Sequence, residues 1–142
     1  MASLYSAKVT ATGGRHGSIK SDDDLLNLKL AMPRSLGGAG DATNPEQLFA
    51  GGYGACFENA LLRVGRETGH RFADSDVEVV AEVGLTRTDK GTFVLDPVAL
   101  SVTLAGVDQA TAEDLVKRAH AICPYSNAIR GNVEVATHVA IR

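Results

Sequence analysis

Residues 4–12 alternate loosely between apolar and polar side chains and stop at Gly13-Gly14-Arg15-His16-Gly17. This pattern predicts a strand and a turn-rich loop, followed by a return strand through Ser18-Ile19-Lys20. After Asp22-Asp23-Asp24, Leu26, Leu28 and Leu30 alternate with Asn27 and Lys29, which predicts a half-buried third strand ended by Pro33. The glycine-rich run over residues 36–42 leads into Thr43-Asn44-Pro45-Glu46. Thr or Asn as the N-cap, Pro at the first helical position and Glu in the first turn predict a helix start. The helix is expected to run to about Thr68, with Gly69 as its stop. From Gln47 to Leu62 its only charge is Glu58, so it is apolar nearly all round and belongs at the centre of the fold. Residues 77–85 and 92–104 read as two strands joined through Thr88-Asp89-Lys90-Gly91. Asp108 or Thr111 caps a second helix with Leu115, Val116, Ala119 and Ile122 at helical spacing. Cys123-Pro124 ends that helix, because the residue before proline is pushed out of the helical region. One further turn is expected over Asn127–Arg130 and a last strand over Val133–Ile141.

The order β-β-β-α-β-β-α-β is an α+β arrangement, without the regular alternation of a parallel sheet. One sheet covers only one face of the central helix. A second subunit is therefore expected to cover the rest, giving an obligate homodimer.

Composition narrows the partners. With 142 residues, 44% hydrophobic and 22% charged, the chain is expected to form a single globular domain over residues 1–142. No apolar run approaches the ~18 residues of a spanning helix. Met1–Ser6 has neither a basic nor an apolar leader segment, so a cytoplasmic protein is expected. Fourteen Lys and Arg stand against seventeen Asp and Glu, a net charge of −3 with no basic cluster. The electrostatic footprint of a nucleic-acid binder is missing, and a small or neutral partner is expected. Two cysteines, Cys56 and Cys123, are too few for a disulfide scaffold.

The two thiols occupy unequal positions. Cys123 closes a helix at its C-terminus, where the partial negative charge disfavours a thiolate. Cys56 lies mid-helix in apolar surroundings that raise its pKa, so its thiolate needs a cation from elsewhere. Arg15 is a candidate: Gly13, Gly14 and Gly17 let its loop approach closely, and a guanidinium stays charged in a dry site. Glu46, at the start of the central helix, is the carboxylate placed to fix the guanidinium fork. Ten residues separate Glu46 from Cys56, about 15 Å along a straight helix, so Arg15 must reach between them or a partner subunit must contribute.

Plainer readings compete with these. Buried cysteines usually pack as small hydrophobes, Arg15 is accounted for as a solvated loop residue, and Glu46 as a first-turn carboxylate. His120 and Cys123, with Cys56 and His16, are a conceivable metal set, but no C-x-x-C or H-x-x-x-H pair supports it and no metal is expected. The glycine-rich run before Pro45 lacks the Gly-Lys-Ser/Thr ending of a phosphate loop.

Several motifs share the order and spacing of a known family. They are Gly13-Gly14-Arg15, Leu36-Gly37-Gly38-Ala39-Gly40, Asn44-Pro45-Glu46-Gln47-Leu48-Phe49-Ala50, and Gly52-Tyr53 with Ala55-Cys56-Phe57. In the C-terminal third they are His120-Ala121, Cys123-Pro124-Tyr125-Ser126-Asn127 and Arg130-Gly131-Asn132. Over essentially its whole length the chain resembles the organic hydroperoxide resistance (Ohr) subgroup of the OsmC family. The Cys-Pro-Tyr-Ser-Asn run and the Pro-Glu-Gln after the glycine loop favour that subgroup over OsmC proper.

The resemblance implies a thiol peroxidase that reduces organic hydroperoxides, including those of fatty acids, to alcohols. Cys56 matches the peroxidatic cysteine, which becomes a sulfenic acid, and Cys123 the resolving cysteine, which condenses with it to a disulfide. Arg15 and Glu46 match the pair that lowers the reactive thiol's pKa and positions the peroxide. The resemblance further implies an intertwined homodimer with no bound cofactor, re-reduced by an external dithiol on a lipoylated protein. An apolar, cationic pocket suits an alkyl hydroperoxide, since apolar lining rewards burial of the chain by ~25 cal/mol per Å². Phe49, Phe57 and Tyr125 are candidate lining, with core packing as the competing account. His16 and Glu58-Asn59 depart from the family pattern. The alternative function is a redox sensor without turnover, or a lipid-binding module of the same fold.

Overall fold

The computed structural model describes all 142 residues, Met1–Arg142. They form two compact units, Met1–Leu48 and Phe49–Arg142.

The N-terminal unit is built on an antiparallel sheet of β1 (Val9–Thr12), β2 (Ser18–Ser21) and β3 (Asn27–Lys29), in that order. Val9 pairs with Ser21 and Thr12 with Ser18, and Ser18 in turn pairs with Lys29. Strand β1 begins at Val9, later than the alternation from Leu4 suggests. Its partner runs out: Asp22 donates to the Lys8 carbonyl, and beyond that the chain turns through Asp22–Asp24, so residues before Lys8 have nothing to pair with. Leu30 forms an isolated parallel bridge with Thr43 and is buried. The side chain of Asn44 accepts from the Gln47 amide at 2.9 Å, and Pro45 opens α1 (Pro45–Glu67). Of the two cap candidates, Asn44 is the one used.

In the C-terminal unit, β4 (Val77–Arg87) pairs antiparallel with β5 (Phe93–Leu104), and β5 pairs parallel with β6 (Val135–Ile141). The parallel pairing needs a crossover, supplied by α2 (Gln109–Ile122) and α3 (Pro124–Ile129). The Asp108 side chain caps α2 by accepting from the Thr111 amide at 2.7 Å. One face of the sheet carries Val77 on β4 and Val98, Leu100, Val102 and Leu104 on β5, all buried. Against it pack Ala112, Leu115, Val116 and Ala119 of α2 and Tyr53, Phe57, Ala60, Leu61 and Val64 of α1. These α1 positions fall on one side of the helix, while Gly51, Ala55 and Asn59 on another side are exposed.

Strand β4 runs two residues past the expected end, to Arg87, and two further boundaries, at α3 and β6, also differ from expectation. The short turn expected over Asn127–Arg130 starts earlier, as helix α3 at Pro124. The proline that stops α2 is also a favoured first residue of the next helix, since its fixed φ is already helical and its missing N–H would have had no partner. Strand β6 starts at Val135 because the Val133 amide is taken by the Ile129 carbonyl in the turn leaving α3. No helix is long and apolar enough to cross a membrane.

Candidate functional site

In the N-terminal unit, the β1–β2 loop holds Arg15. Gly13 and Gly14 have φ of 80° and 59°, and a Cβ on Gly17 would stand 1.7 Å from the Thr12 carbonyl oxygen, so the loop closes only around glycine. The Arg15 guanidinium donates from Nη1 to Glu46 Oε2 at 2.8 Å and from Nη2 to Oε1 at 2.5 Å. This is the two-pronged pairing a planar guanidinium makes with a carboxylate. The Glu46 side chain keeps 13% of its surface exposed and that of Arg15 34%. The Arg15 hydrogen bonds hold the Glu46 carboxyl below the usual carboxylate range, against a smaller opposing effect of burial. Glu46 in turn raises the Arg15 guanidinium.

In the C-terminal unit lie the two cysteines, both free thiols. Cys56, on the middle of α1, is partly buried, and Cys123 has no exposed surface. Cys123 is at once the last cap of α2 and the first cap of α3: its amide donates to Ala119 and its carbonyl accepts from Asn127. Burial pushes the Cys56 thiol up, the backbone amide of Tyr125 pulls it down, and the neighbouring Cys123 adds to the rise. The side chains expected to line an apolar pocket gather in the same unit. The Phe49 ring stands edge-on to Tyr53 and Tyr125, and Tyr125 stacks on Tyr53 with centroids 5.7 Å apart. Phe49 and Tyr125 remain partly accessible, whereas Phe57 is fully buried between Tyr53 and His120. A Cβ on Gly52 would lie 2.4 Å from the Tyr125 hydroxyl, so the absent side chain is what admits the phenol.

A hydrogen-bonded row of side chains joins these elements. The Tyr53 and Ser126 hydroxyls meet at 2.8 Å, Ser126 Oγ lies 3.1 Å from His120 Nδ1, and His120 Nε2 lies 3.0 Å from Thr137 Oγ1. Burial, and after it the charge of Arg130, lowers the His120 pKa, and desolvation raises that of Tyr53. Both hydroxyl partners serve a neutral imidazole, whose one N–H donates while the other nitrogen accepts. An open cleft of about 520 Å³ runs along this row, with Arg130, Asn132 and Glu134 on its other walls. The row escapes sequence reasoning because Tyr53 and Ser126 are 73 residues apart. The one local signal is the equal spacing of His120 and Ser126 on either side of Cys123. No three His, Cys, Asp or Glu side chains converge as a metal site would require.

Comparison with known proteins places the chain. Residues 38–138 match the family OsmC, described as OsmC-like protein. The organic hydroperoxide resistance protein of Xanthomonas axonopodis pv. citri is 45% identical over 138 residues, covering 96% of this chain and 95% of that protein. The organic hydroperoxide resistance protein OhrB of Bacillus subtilis is 43% identical over 132 residues, 93% of this chain and 95% of that protein. Among solved structures, an organic hydroperoxide resistance protein from Elizabethkingia anophelis superposes with a TM-score of 0.92 at 43% identity, covering 100% of both chains. One from Legionella pneumophila gives 0.88 at 48% identity, covering 99% of this chain and 98% of that one. With a family match over most of its length and near full-length relatives well above 30% identity, the chain belongs to the OsmC-like proteins, in the organic hydroperoxide resistance subgroup.

Proposed function

We propose that the protein is a thiol-dependent peroxidase that reduces organic hydroperoxides, those of fatty acids among them, to alcohols. The observation that carries this reading is the unequal thiol pair: a partly accessible Cys56 beside a fully buried Cys123 at a helix junction, among aromatic side chains. The names of the relatives point to the same substrate class.

In the proposed cycle the Cys56 thiolate attacks the distal peroxide oxygen. An S–O bond forms as the O–O bond breaks, and the alkoxide leaves and takes up a proton as the alcohol. Cys56, oxidised by two electrons, is now a sulfenic acid. The Cys123 thiolate then attacks the Cys56 sulfur, the S–S bond replaces the S–O bond, and hydroxide leaves as water with the proton Cys123 gave up. A dithiol on a lipoylated protein returns two electrons and two protons to the disulfide and becomes a cyclic disulfide itself. Arg15, its fork fixed by Glu46, supplies the positive charge that favours the thiolate and orients the peroxide. Phe49 and Tyr125, the partly accessible members of the aromatic group, favour an alkyl substituent on the substrate, while Phe57 is fully buried and packs in the core behind them. The working unit is a homodimer in the cytoplasm, with a second copy covering the exposed side of α1; sedimentation showing a stable folded monomer would remove the dimer.

The test treats the reduced protein with cumene hydroperoxide and counts thiols. Both are expected to disappear, one cumyl alcohol forming per pair, and dihydrolipoamide is expected to restore them faster than a thioredoxin system. Cys56→Ser is expected to abolish the reaction; full activity in that variant would sink the mechanism. A single oxidation that no dithiol reverses would favour the sensor reading instead.

A further inference from the structure

The second half of that cycle asks more of the fold than the first. Peroxide diffuses to Cys56, but Cys123 is fixed to the chain at a break between two helices and must present its sulfur along the line of the bond it will form. A sulfur misplaced by a fraction of an ångström loses much of the advantage of being intramolecular.

The backbone bonds of Cys123 run one to each helix, its amide to Ala119 in α2 and its carbonyl to Asn127 in α3, and neither joins the two helices directly. Cys123 has φ of −68° and ψ of 121°, outside the helical region, and is followed by a proline, so the helical hydrogen-bond ladder is interrupted there. Side chains restore the connection. His120 stands three residues before Cys123 in the last turn of α2, and Ser126 three residues after it in α3. Their 3.1 Å contact spans the junction with the cysteine between them. Arg130, just past α3, adds a second strap: it donates to the His120 carbonyl at 2.6 Å, filling one of the acceptors that a helix end leaves open, and to Asn127 in α3. Tyr53 ties the strap to α1 through its 2.8 Å contact with Ser126, and Tyr53 lies one helical turn before Cys56. Tyr53 is wholly buried and Ser126 nearly so, so each hydroxyl has only its partners in this row to satisfy it.

We propose that His120, Ser126 and Tyr53 are positioning residues for the resolving step: their hydrogen bonds across the α2–α3 junction set the Cys123 sulfur for closure on Cys56, and they do not act in the attack on peroxide. The Cys123 and Cys56 roles come from the peroxidase reading, so the test contains an arm that needs no peroxide. Thr137 steadies only the far nitrogen of the imidazole and lies outside the strap.

In the first arm, reduced protein is mixed with cumene hydroperoxide, and sulfenic acid formation and disulfide closure are timed separately. Ser126→Ala is expected to form the sulfenic acid at the wild-type rate, to close the disulfide about five- to tenfold more slowly, as loss of one such hydrogen bond implies, and to overoxidise more at high peroxide. Closure at the wild-type rate, or an equal slowing of both steps, overturns the proposal. In the second arm, Cys56 is converted to a mixed disulfide with 5-thio-2-nitrobenzoate, and the coloured thiolate released when Cys123 displaces it reports the same ring closure. If hydroperoxide fails to oxidise the wild-type protein while this release still slows in Ser126→Ala, the peroxidase reading falls and the positioning role stands.

A second pair of variants answers the case in which Ser126→Ala does not fold. Asn at position 120 presents an amide nitrogen near the place of Nδ1, while Gln presents one near Nε2. His120→Asn is therefore expected to close several-fold faster than His120→Gln, with Thr137→Val within twofold of wild type. Equal rates for His120→Asn and His120→Gln overturn the proposal.

Discussion

Replacing Glu46 by Gln removes one charge from the Arg15–Glu46 pair while keeping nearly the same shape, so it isolates what ionisation contributes to the N-terminal unit. The two N–H···O bonds, at 2.8 and 2.5 Å, are charge-assisted on both sides. A hydrogen bond to a charged group contributes about 1.5–3 kcal/mol when buried. The Arg15 side chain is 34% exposed and the pair is open to screening, which discounts the contribution to below that range, to about 1–1.5 kcal/mol.

The pH dependence gives the sharper test. Arg15 holds the folded-state pKa of Glu46 below its ordinary value. A carboxyl depressed on folding contributes stability that is fully present above its unfolded pKa, about 4.3, and that fades as pH falls through the lower folded value. Urea unfolding of wild type and Glu46→Gln at pH 7 is expected to differ by about 1–1.5 kcal/mol. The gap is expected to shrink steadily once pH drops below the unfolded carboxyl range, because the protonated wild-type side chain then resembles Gln. A gap that stays constant down to the acid limit of folding would show that shape and packing, not the ion pair, distinguish the two proteins. Equal stability at pH 7 would mean that the pair costs as much in desolvation as it returns in attraction.

Three further outcomes are expected, the first from the proposed function and the other two from the packing. If Arg15 supplies the cation proposed for the Cys56 thiolate, Arg15→Ala is expected to move the pH midpoint of Cys56 alkylation upward, since loss of a favourable positive charge disfavours the thiolate; an unchanged midpoint removes the activating role proposed for Arg15. Gly17→Ala places a methyl 1.7 Å from the Thr12 carbonyl and is expected to cost several kcal/mol in denaturant melts, with the β1–β2 loop disrupted; a variant as stable as wild type would mean that the loop rearranges freely. Leu61→Ala, at a position with no exposed surface in the core of the C-terminal unit, is expected to lose about 2–5 kcal/mol while keeping two titratable thiols.

The sequence was most legible where a local rule decides the outcome. Asn44 and Asp108 cap helices because a short polar side chain can reach the free amides of a first turn, and both signals are confined to four residues. The Thr88–Gly91 turn between β4 and β5 is legible for the same reason. Where a residue's state depends on a distant partner, pattern alone gave the wrong limit. Leu4 to Lys8 continue the loose alternation of β1, yet β2 offers them no edge. Pro124 illustrates a further ambiguity: one residue carries both a stop and a start signal, and only the position of the following chain decides which is used.

The candidate site divides along the same line. Position in a helix is local, so the inequality of Cys56 and Cys123 was visible from spacing, and burial of Cys123 at the α2–α3 junction agrees with it. The Arg15–Glu46 pair spans 31 residues and the Tyr53–Ser126 contact 73, and neither can be read from periodicity, which identifies a buried face but not its partner. A loop arginine with flanking glycines nevertheless suggested its carboxylate, because a guanidinium needs a planar acceptor and Glu46 was the acidic residue at the start of an otherwise apolar helix. Tyr53 and Ser126 gave no such hint, since a hydroxyl can pair with water as well as with protein and its sequence does not declare which. The parts of the site that carry charge were thus inferable from what a charge cannot do without. The neutral hydroxyls became visible only when burial removed the solvent that would otherwise have satisfied them.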